Sequence, residues 1–271
     1  MKRIVKEVLV FSMMMAMAGC SKPTKEENVN LCVYAAASMT ESLNKVIETY
    51  TEEHPNVTID VNYGSSGDLE TQIKEGNTVD IFISAGQKQM NEIEKDNEFN
   101  TDDSDYVVEG TRVDLLENKV VLCVSETNTV QLDTFDDMAN ALKDGIILMA
   151  MGNVASVPVG QYTEQILQHY GLDHEKLSEE GLITYCEDVK AVTTAITEGN
   201  VNCGVIYATD AYSAGLEAKD VASTDLCKQI IYPAAMMKST TNEEAAKAFL
   251  DYLQEDGAMS EFEKVGFTRV K

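Results

Sequence analysis

The 271-residue chain is short of positive charge: 21 Lys and Arg stand against 46 Asp and Glu, a formal net charge of -25. Nucleic-acid binding needs clustered basic side chains against phosphates, so the composition argues against that class of partner. A polybasic attachment to membrane surfaces fails for the same reason. Cysteines never occur as CxxC pairs, which argues against zinc and redox sites. The motifs G-x-G-x-x-G, G-x-x-x-x-G-K-[ST] and H-E-x-x-H are absent too, and the commonest nucleotide and metalloprotease signatures go with them. Gly64-Ser65-Ser66-Gly67 lacks the G-x-S-x-G spacing of a nucleophile elbow. The three histidines, His54, His169 and His174, fall near predicted helix ends in polar surroundings. A hydrolase using Ser66 therefore has no evident base. Disorder is excluded by a hydrophobic content of 44%, and the length suits about two domains.

Lys2, Arg3 and Lys6 precede an apolar stretch from Val8 to Ala18, and Gly19-Cys20 follows. A basic start with an apolar run too short to span a bilayer reads as a secretory signal over 1–19. Ala18-Gly19 before Cys20 resembles the processing box of bacterial lipoproteins, in which the cysteine is lipidated and becomes the new N-terminus. Glu7 in the basic region and Met17 where Leu is usual depart from that pattern. Residues 20–28 read as a polar tether. Anchoring would follow from roughly 0.8 kcal/mol per buried methylene of the acyl chains. Loss of residues 1–19 removes a net +2 and leaves the remainder at about -27. The expected location is the cell envelope, on the outer face of the cytoplasmic membrane.

Short apolar runs alternate with amphipathic stretches, the pattern of α/β layers, here read as mainly parallel sheets. Strands are expected at Leu31–Ala35, Val57–Tyr63, Asp80–Ser84, Val120–Ser125, Ile146–Met149, Leu182–Tyr185, Cys203–Tyr207 and Gln229–Met236. Helical stripes run through Leu43, Val46, Ile47 and Tyr50, through Tyr162, Ile166, Leu167 and Tyr170, through Val189, Val192 and Ile196, and through Ala245, Ala248, Phe249 and Tyr252. Asp96–Asp105 breaks the pattern, and a division of the chain falls near residue 115. Cys32, Cys123, Cys186, Cys203 and Cys227 read as small buried hydrophobes.

The informative positions lie where strands turn into helices. Ser38-Met39-Thr40-Glu41 reads as a capping box opening a helix, and Tyr63-Gly64-Ser65-Ser66-Gly67-Asp68 opens another. Helix N-termini offer free N–H groups and the positive end of the helix dipole, so each suits an anion. Strands of one sheet deliver such junctions to a common edge. Val157-Pro158-Val159-Gly160 and Cys186-Glu187-Asp188-Val189 are similar junctions, and Tyr207 leaves a strand just before Thr209-Asp210.

Together, A-A-A-S-M-T at 35–40, Y-G-S-S-G-D-L-E-T-Q-I at 63–73 and D-I-F-I-S-A at 80–85 resemble the molybdate-binding proteins of bacterial ABC transporters. V-P-V-G-Q-Y at 157–162, E-D-V at 187–189, G-V-I-Y-A-T-D-A at 204–211, Tyr232-Pro233 and V-G-F-T at 265–268 follow in the family's order. The resemblance implies an α/β, two-lobed periplasmic-binding-protein fold of type II, with mixed sheets flanked by helices and a ligand cleft between the lobes. It implies that the chain crosses between lobes twice, giving one lobe from 29–114 with 229–271 and another from 115–228. By position, the family's ligand contacts fall on Ser38, Ser66, Val159, Val189 and Tyr207. The serines and the tyrosine would donate through hydroxyls; Val159 and Val189 would donate through main-chain N–H. Val159 stands where the family usually has Ala, which a backbone contact tolerates.

Molybdate and tungstate are then the expected ligands, with an ABC permease as partner, the membrane reached through Cys20, no nucleic acid, no cofactor, no direct metal ligands and a monomeric chain. A tetrahedral dianion with four acceptor oxygens suits a site of neutral donors. The overall negative charge slows its approach, but salt with a Debye length of about 8 Å screens most of that repulsion. Two alternatives are another oxyanion, with Asp68 or Asp188 as an acceptor favouring phosphate, and the hydrolase using Ser66.

Overall fold

The computed structural model describes residues 28–270. The expected signal segment, Cys20 and nearly all of the tether lie outside them. The strands are β1 (Val29–Ala36), β2 (Val57–Gly64), β3 (Ile81–Ile83), β4 (Val113–Asn118), β5 (Val120–Val124), β6 (Met149–Gly152), β7 (Ile183–Cys186), β8 (Cys203–Tyr207), β9 (Ala218–Val221), β10 (Ile230–Met236) and β11 (Thr268–Arg269). The helices are α1 (Thr40–Glu53), α2 (Ser66–Lys74), α3 (Gln87–Ile93), α4 (Phe135–Lys143), α5 (Pro158–His169), α6 (His174–Glu179), α7 (Val189–Thr197), α8 (Ala208–Ala214), α9 (Glu243–Tyr252) and α10 (Asp256–Lys264), and a 3-10 turn at Ala37–Met39 precedes α1. None of these helices is long and apolar enough to cross a membrane.

Two mixed sheets carry the fold, one ordered β11-β4-β10-β3-β1-β2 and the other β7-β6-β8-β5-β9. β1 pairs in parallel with β2 and β3, and β6 with β7 and β8. The pairings made by β4, β5, β9, β10 and β11 are antiparallel. The reading of mainly parallel sheets is thus corrected, because each passage between sheets brings the chain back in the opposite direction. The passage expected between residues 114 and 115 falls inside β4, which continues in the first sheet to Asn118 before β5 opens the second at Val120. The return lies between Val221 and Ile230.

Each expected strand has a counterpart, though the one placed at Ile146–Met149 begins at Met149. Ile146 and Leu148 are exposed, whereas Met149, Ala150 and Met151 are fully buried. In α1, Leu43, Val46 and Tyr50 face the core as their spacing requires. In α9 the buried stripe is Ala246, Phe249 and Leu250, one step round from the Ala245–Ala248 face expected. Asp96–Asp105 forms turns between α3 and β4, closed by Asn100 Nδ2 donating to the Glu94 and Ser104 carbonyls. Cys123, Cys203 and Cys227 are buried and Cys32 and Cys186 half-buried, all as free thiols.

Parallel β1, β2 and β3 end at one edge of the first sheet, and parallel β6, β7 and β8 end at one edge of the second. These edges meet across a cleft.

Candidate functional site

Ala36, Ala37, Ser38, Gly64, Ser65, Ser66 and Ala85 of the first lobe line a cavity with Val157, Pro158, Val159, Asp188, Val189 and Tyr207 of the second. Its atom-free space is about 210 Å³, mouth included. All five positions singled out above, Ser38, Ser66, Val159, Val189 and Tyr207, line this one cavity.

The 3-10 turn, α2, α5 and α7 all begin at its wall. Ser66 and Val189 are the first residues of α2 and α7, and Val159 is the second of α5. The N–H groups of Ser38, Ser66, Val159 and Val189 find no acceptor among the described residues, as expected of groups in a first helical turn. Pro158 opens α5 at a position where no N–H is needed. Asp188 caps α7 by accepting from the Ala191 N–H at 2.8 Å.

The two serine junctions differ. Ser65 is the N-cap of α2 and accepts from the Asp68 N–H, which frees Ser66. The Ser66 hydroxyl oxygen accepts from the Ala85 N–H at 2.9 Å. The capping box expected at Ser38 is not formed. Met39 occupies the N-cap position of α1 without a side-chain bond, and the Ser38 hydroxyl instead lies 2.9 Å from that of Tyr232. A 3-10 turn displaces the helix start by one residue, carrying Ser38 away from the N–H groups it would cap.

Close backbone approaches shape the walls. The Gly67 N–H donates to the Ser156 carbonyl across the cleft at 2.8 Å. A Cβ on Gly67 would lie 2.6 Å from both the Cα and the oxygen of Ser156, and one on Gly160 would lie 2.2 Å from the Gly152 oxygen. Only glycine fits either contact. The lobes also meet through the Tyr207 hydroxyl, which donates to the Ala85 carbonyl at 3.2 Å. Burial, then the neighbouring Tyr232, Tyr162 and Asp210, push the Tyr207 phenol well above its ordinary pKa, so it stays protonated.

Lys190, beside Val189, donates to both Glu41 carboxylate oxygens at 2.9 and 2.7 Å and lies 3.3 Å from Asp210 Oδ1. Glu41 belongs to α1 and Lys190 to α7, so this ion pair spans the cleft. Asp210 is buried and, among the described residues, meets only the Lys190 ammonium, with no well-aligned hydrogen-bond donor on either oxygen. Burial pushes its carboxyl up to about 7, against the pull of Lys190.

Asp68 is exposed and does not line the cavity. His54, His169 and His174 are likewise absent from its wall. Sequence reasoning assigned no role to Ala85, although the motif at 80–85 contained it. Nothing in the pattern marked Asn118, Lys190 or Ser156.

A family model described as bacterial extracellular solute-binding protein matches residues 31–268. The putative ABC transporter substrate-binding lipoprotein YvgL of Bacillus subtilis is 35% identical over 93% of this chain and 92% of its own. The molybdate-binding protein ModA of Haemophilus influenzae is 30% identical over 89% of this chain and 91% of its own. Among solved structures, the substrate-binding domain of a putative molybdenum ABC transporter from Clostridium difficile superposes with a TM-score of 0.63 at 31% identity, covering 90% of this chain and 100% of that one. With nearly the whole described fold inside that match, the chain belongs to the bacterial extracellular solute-binding proteins.

Proposed function

We propose that this protein captures molybdate, and tungstate with it, outside the cytoplasm and delivers it to an ABC permease. One observation carries the reading: four unpaired N–H groups, two serine hydroxyls and a tyrosine hydroxyl converge on one cavity. That donor set matches a tetrahedral dianion whose oxygens only accept, and the helix N-termini supply positive potential without a cationic side chain in the wall. Relatives that carry molybdate or molybdenum in their names support the choice of anion. In this reading Ser38 and Ser66 donate through hydroxyls, Tyr207 donates by turning its one hydrogen from the Ala85 carbonyl to the anion, and Val159 and Val189 donate through main-chain N–H. The lobes, 29–118 with 229–270 and 119–228, close over the anion about the two passages between sheets. Lipid on Cys20 tethers the protein to the membrane, and no reaction is catalysed.

The test is thermal unfolding of residues 21–271 with molybdate, tungstate, sulfate or phosphate at fixed ionic strength. A ligand at a hundred times its Kd stabilises by about 2.7 kcal/mol. Stabilisation by molybdate and tungstate alone, lost when Ser38→Ala and Ser66→Ala are combined, is the expected outcome. A response to sulfate or phosphate alone would replace the anion, and no response would sink the reading. The anchor is checked separately: Cys20→Ala should move the protein out of the membrane fraction.

A second reading, hydrogenphosphate, draws on Asp188, a residue of the cavity wall whose Oδ1 caps α7 and whose other oxygen would have to serve as the acceptor. A proton-bearing anion needs such an acceptor.

A further inference from the structure

Tyr232-Pro233 lies in β10, outside the five predicted positions of the cavity wall. In this interior strand the missing N–H of Pro233 is tolerated only at an irregularity. The register against β4 shifts at Tyr232/Pro233. Tyr232 is fully buried just behind the cavity, with its hydroxyl 2.9 Å from that of Ser38. The Asn118 amide Nδ2 donates to the Tyr232 hydroxyl at 3.2 Å and to Thr209 Oγ1 at 3.0 Å. The Asn118 amide oxygen accepts from the Lys119 N–H at 2.8 Å.

This chain of bonds has one direction. The Lys119 N–H only donates, so the Asn118 oxygen faces it and the Asn118 NH2 faces the two hydroxyls. Receiving that hydrogen, Tyr232 is left to give its own to Ser38, the acceptor beside it. Ser38 then holds a hydrogen for which the described residues provide no acceptor, and it lines the cavity. Ser66 reaches the same state by a shorter route, since its oxygen accepts from the Ala85 N–H. Hydroxyl rotors are ordinarily free to donate or accept; these two are committed.

We infer that Asn118 and Tyr232 are positioning residues that fix Ser38 as a hydrogen donor into the cavity, so that the site discriminates against anions carrying a proton. The inference rests on the oxyanion reading above and deepens it. Molybdate and sulfate, with acceptor oxygens throughout, match the fixed hydrogens. Hydrogenphosphate turns an O–H toward the wall and meets a donor at Ser38.

The experiment measures Kd for molybdate, sulfate and hydrogenphosphate by calorimetry, at a pH where all three are dianions, on the purified protein and two variants. Tyr232→Phe releases the Ser38 rotor and should weaken molybdate about tenfold, the range of one hydrogen bond to a charged group. Asn118→Asp replaces the donor by an acceptor, which reverses the relay: Tyr232 now donates to residue 118 and Ser38 to Tyr232. Its added charge repels all three dianions alike, so the diagnostic is a ratio. Preference for molybdate over hydrogenphosphate should fall about tenfold or more in Asn118→Asp and by less in Tyr232→Phe, while the molybdate-to-sulfate ratio holds. Equal weakening of all three anions would overturn the relay and leave Asn118 and Tyr232 as packing residues. Thermal midpoints confirm that each variant is folded. Failure of the unaltered protein to bind any oxyanion would overturn the oxyanion reading itself, and the relay with it.

Discussion

The junctions at Ser38 and Ser66 look alike in sequence and are built differently. At Ser66 the work is divided between neighbours: Ser65 caps the helix and Ser66 faces the cavity, steadied by a main-chain N–H from β3's end. At Ser38 no residue caps α1, and the hydroxyl is steadied by a side-chain relay reaching β4 and α8. Behind each junction lies a buried carboxyl. Asp210 stands 3.3 Å from Lys190 and Glu70 stands 2.9 Å from Lys74. A hydroxyl held by the main chain is insensitive to side-chain identity elsewhere, whereas one held by a relay depends on residues in three other elements.

The largest expected effect that separates the two sides is on pH. Burial raises both carboxyls to about 7, with the paired lysines pulling the other way. A carboxyl whose folded pKa lies above its unfolded value favours folding while protonated. Its contribution is therefore fully present near pH 4 and is lost as pH rises to about 7. For the more deeply buried Asp210 the loss should be a few kcal/mol. The unfolding free energy of wild type relative to Asp210→Asn should decline across that window. Glu70→Gln should show the same sign and leave the Asp210 component in place.

Gly67→Ala comes next. Its methyl group would press on the Ser156 backbone, which cannot swing aside as a side chain can. Overpacking of this kind costs about 1–3 kcal/mol, so anion affinity should drop about 10- to 100-fold. Thermal stability without anion should change little if closure alone is hindered; an equal loss of both would show that Gly67 matters to the fold instead.

Ser66→Ala and Ser38→Ala compare the two means of support directly. Removing Ser66 leaves the buried Ala85 N–H unpaired and should cost about 1–3 kcal/mol of stability. Removing Ser38 leaves Tyr232 its bond from Asn118 and should cost less. Denaturant melts of the anion-free proteins decide the order. Ser65→Ala should lose about 1 kcal/mol of stability as a helix cap and little affinity, a dissociation that Ser66→Ala should not show. The smallest effect belongs to Glu41→Gln: the Glu41–Lys190 pair spans the cleft but is partly solvated, and its loss should weaken binding by up to about fivefold, less so at high salt.

What the sequence conveyed well was local. Buried strands announced themselves as apolar runs, and paired small residues and hydroxyls marked where they end. Strands that lean on distant partners were harder to see. β4, with Asp114, Glu117 and Asn118 among its apolar residues, looks like a polar boundary until β10 and β11 are placed beside it. β9 has two charged residues out of four, and β11 has only two residues. The S-x-x-E at Ser38 satisfied a capping rule that considers only neighbours in sequence, and Tyr232, 194 residues away, took the hydroxyl instead. The same reason hid the relay: Asn118, Thr209 and Tyr232 have no shared spacing and meet only where the sheets adjoin.

The position of β10 between β3 and β4 also sets an order of assembly. A polypeptide emerging N-terminus first presents β1 to β4 early, but as two separate pieces with open edges, because the strand that joins them is still to come. Val120 to Val221, by contrast, already holds every strand of the second sheet. That half can therefore finish first and stand as a template, while the other half stays unsealed until the closing strand slots in from within. A chain ending just short of Ile230 would hold one finished half and one in which the facing edges of β3 and β4 stand bare, which makes the last stretch of the chain the step at which the molecule becomes a receptor.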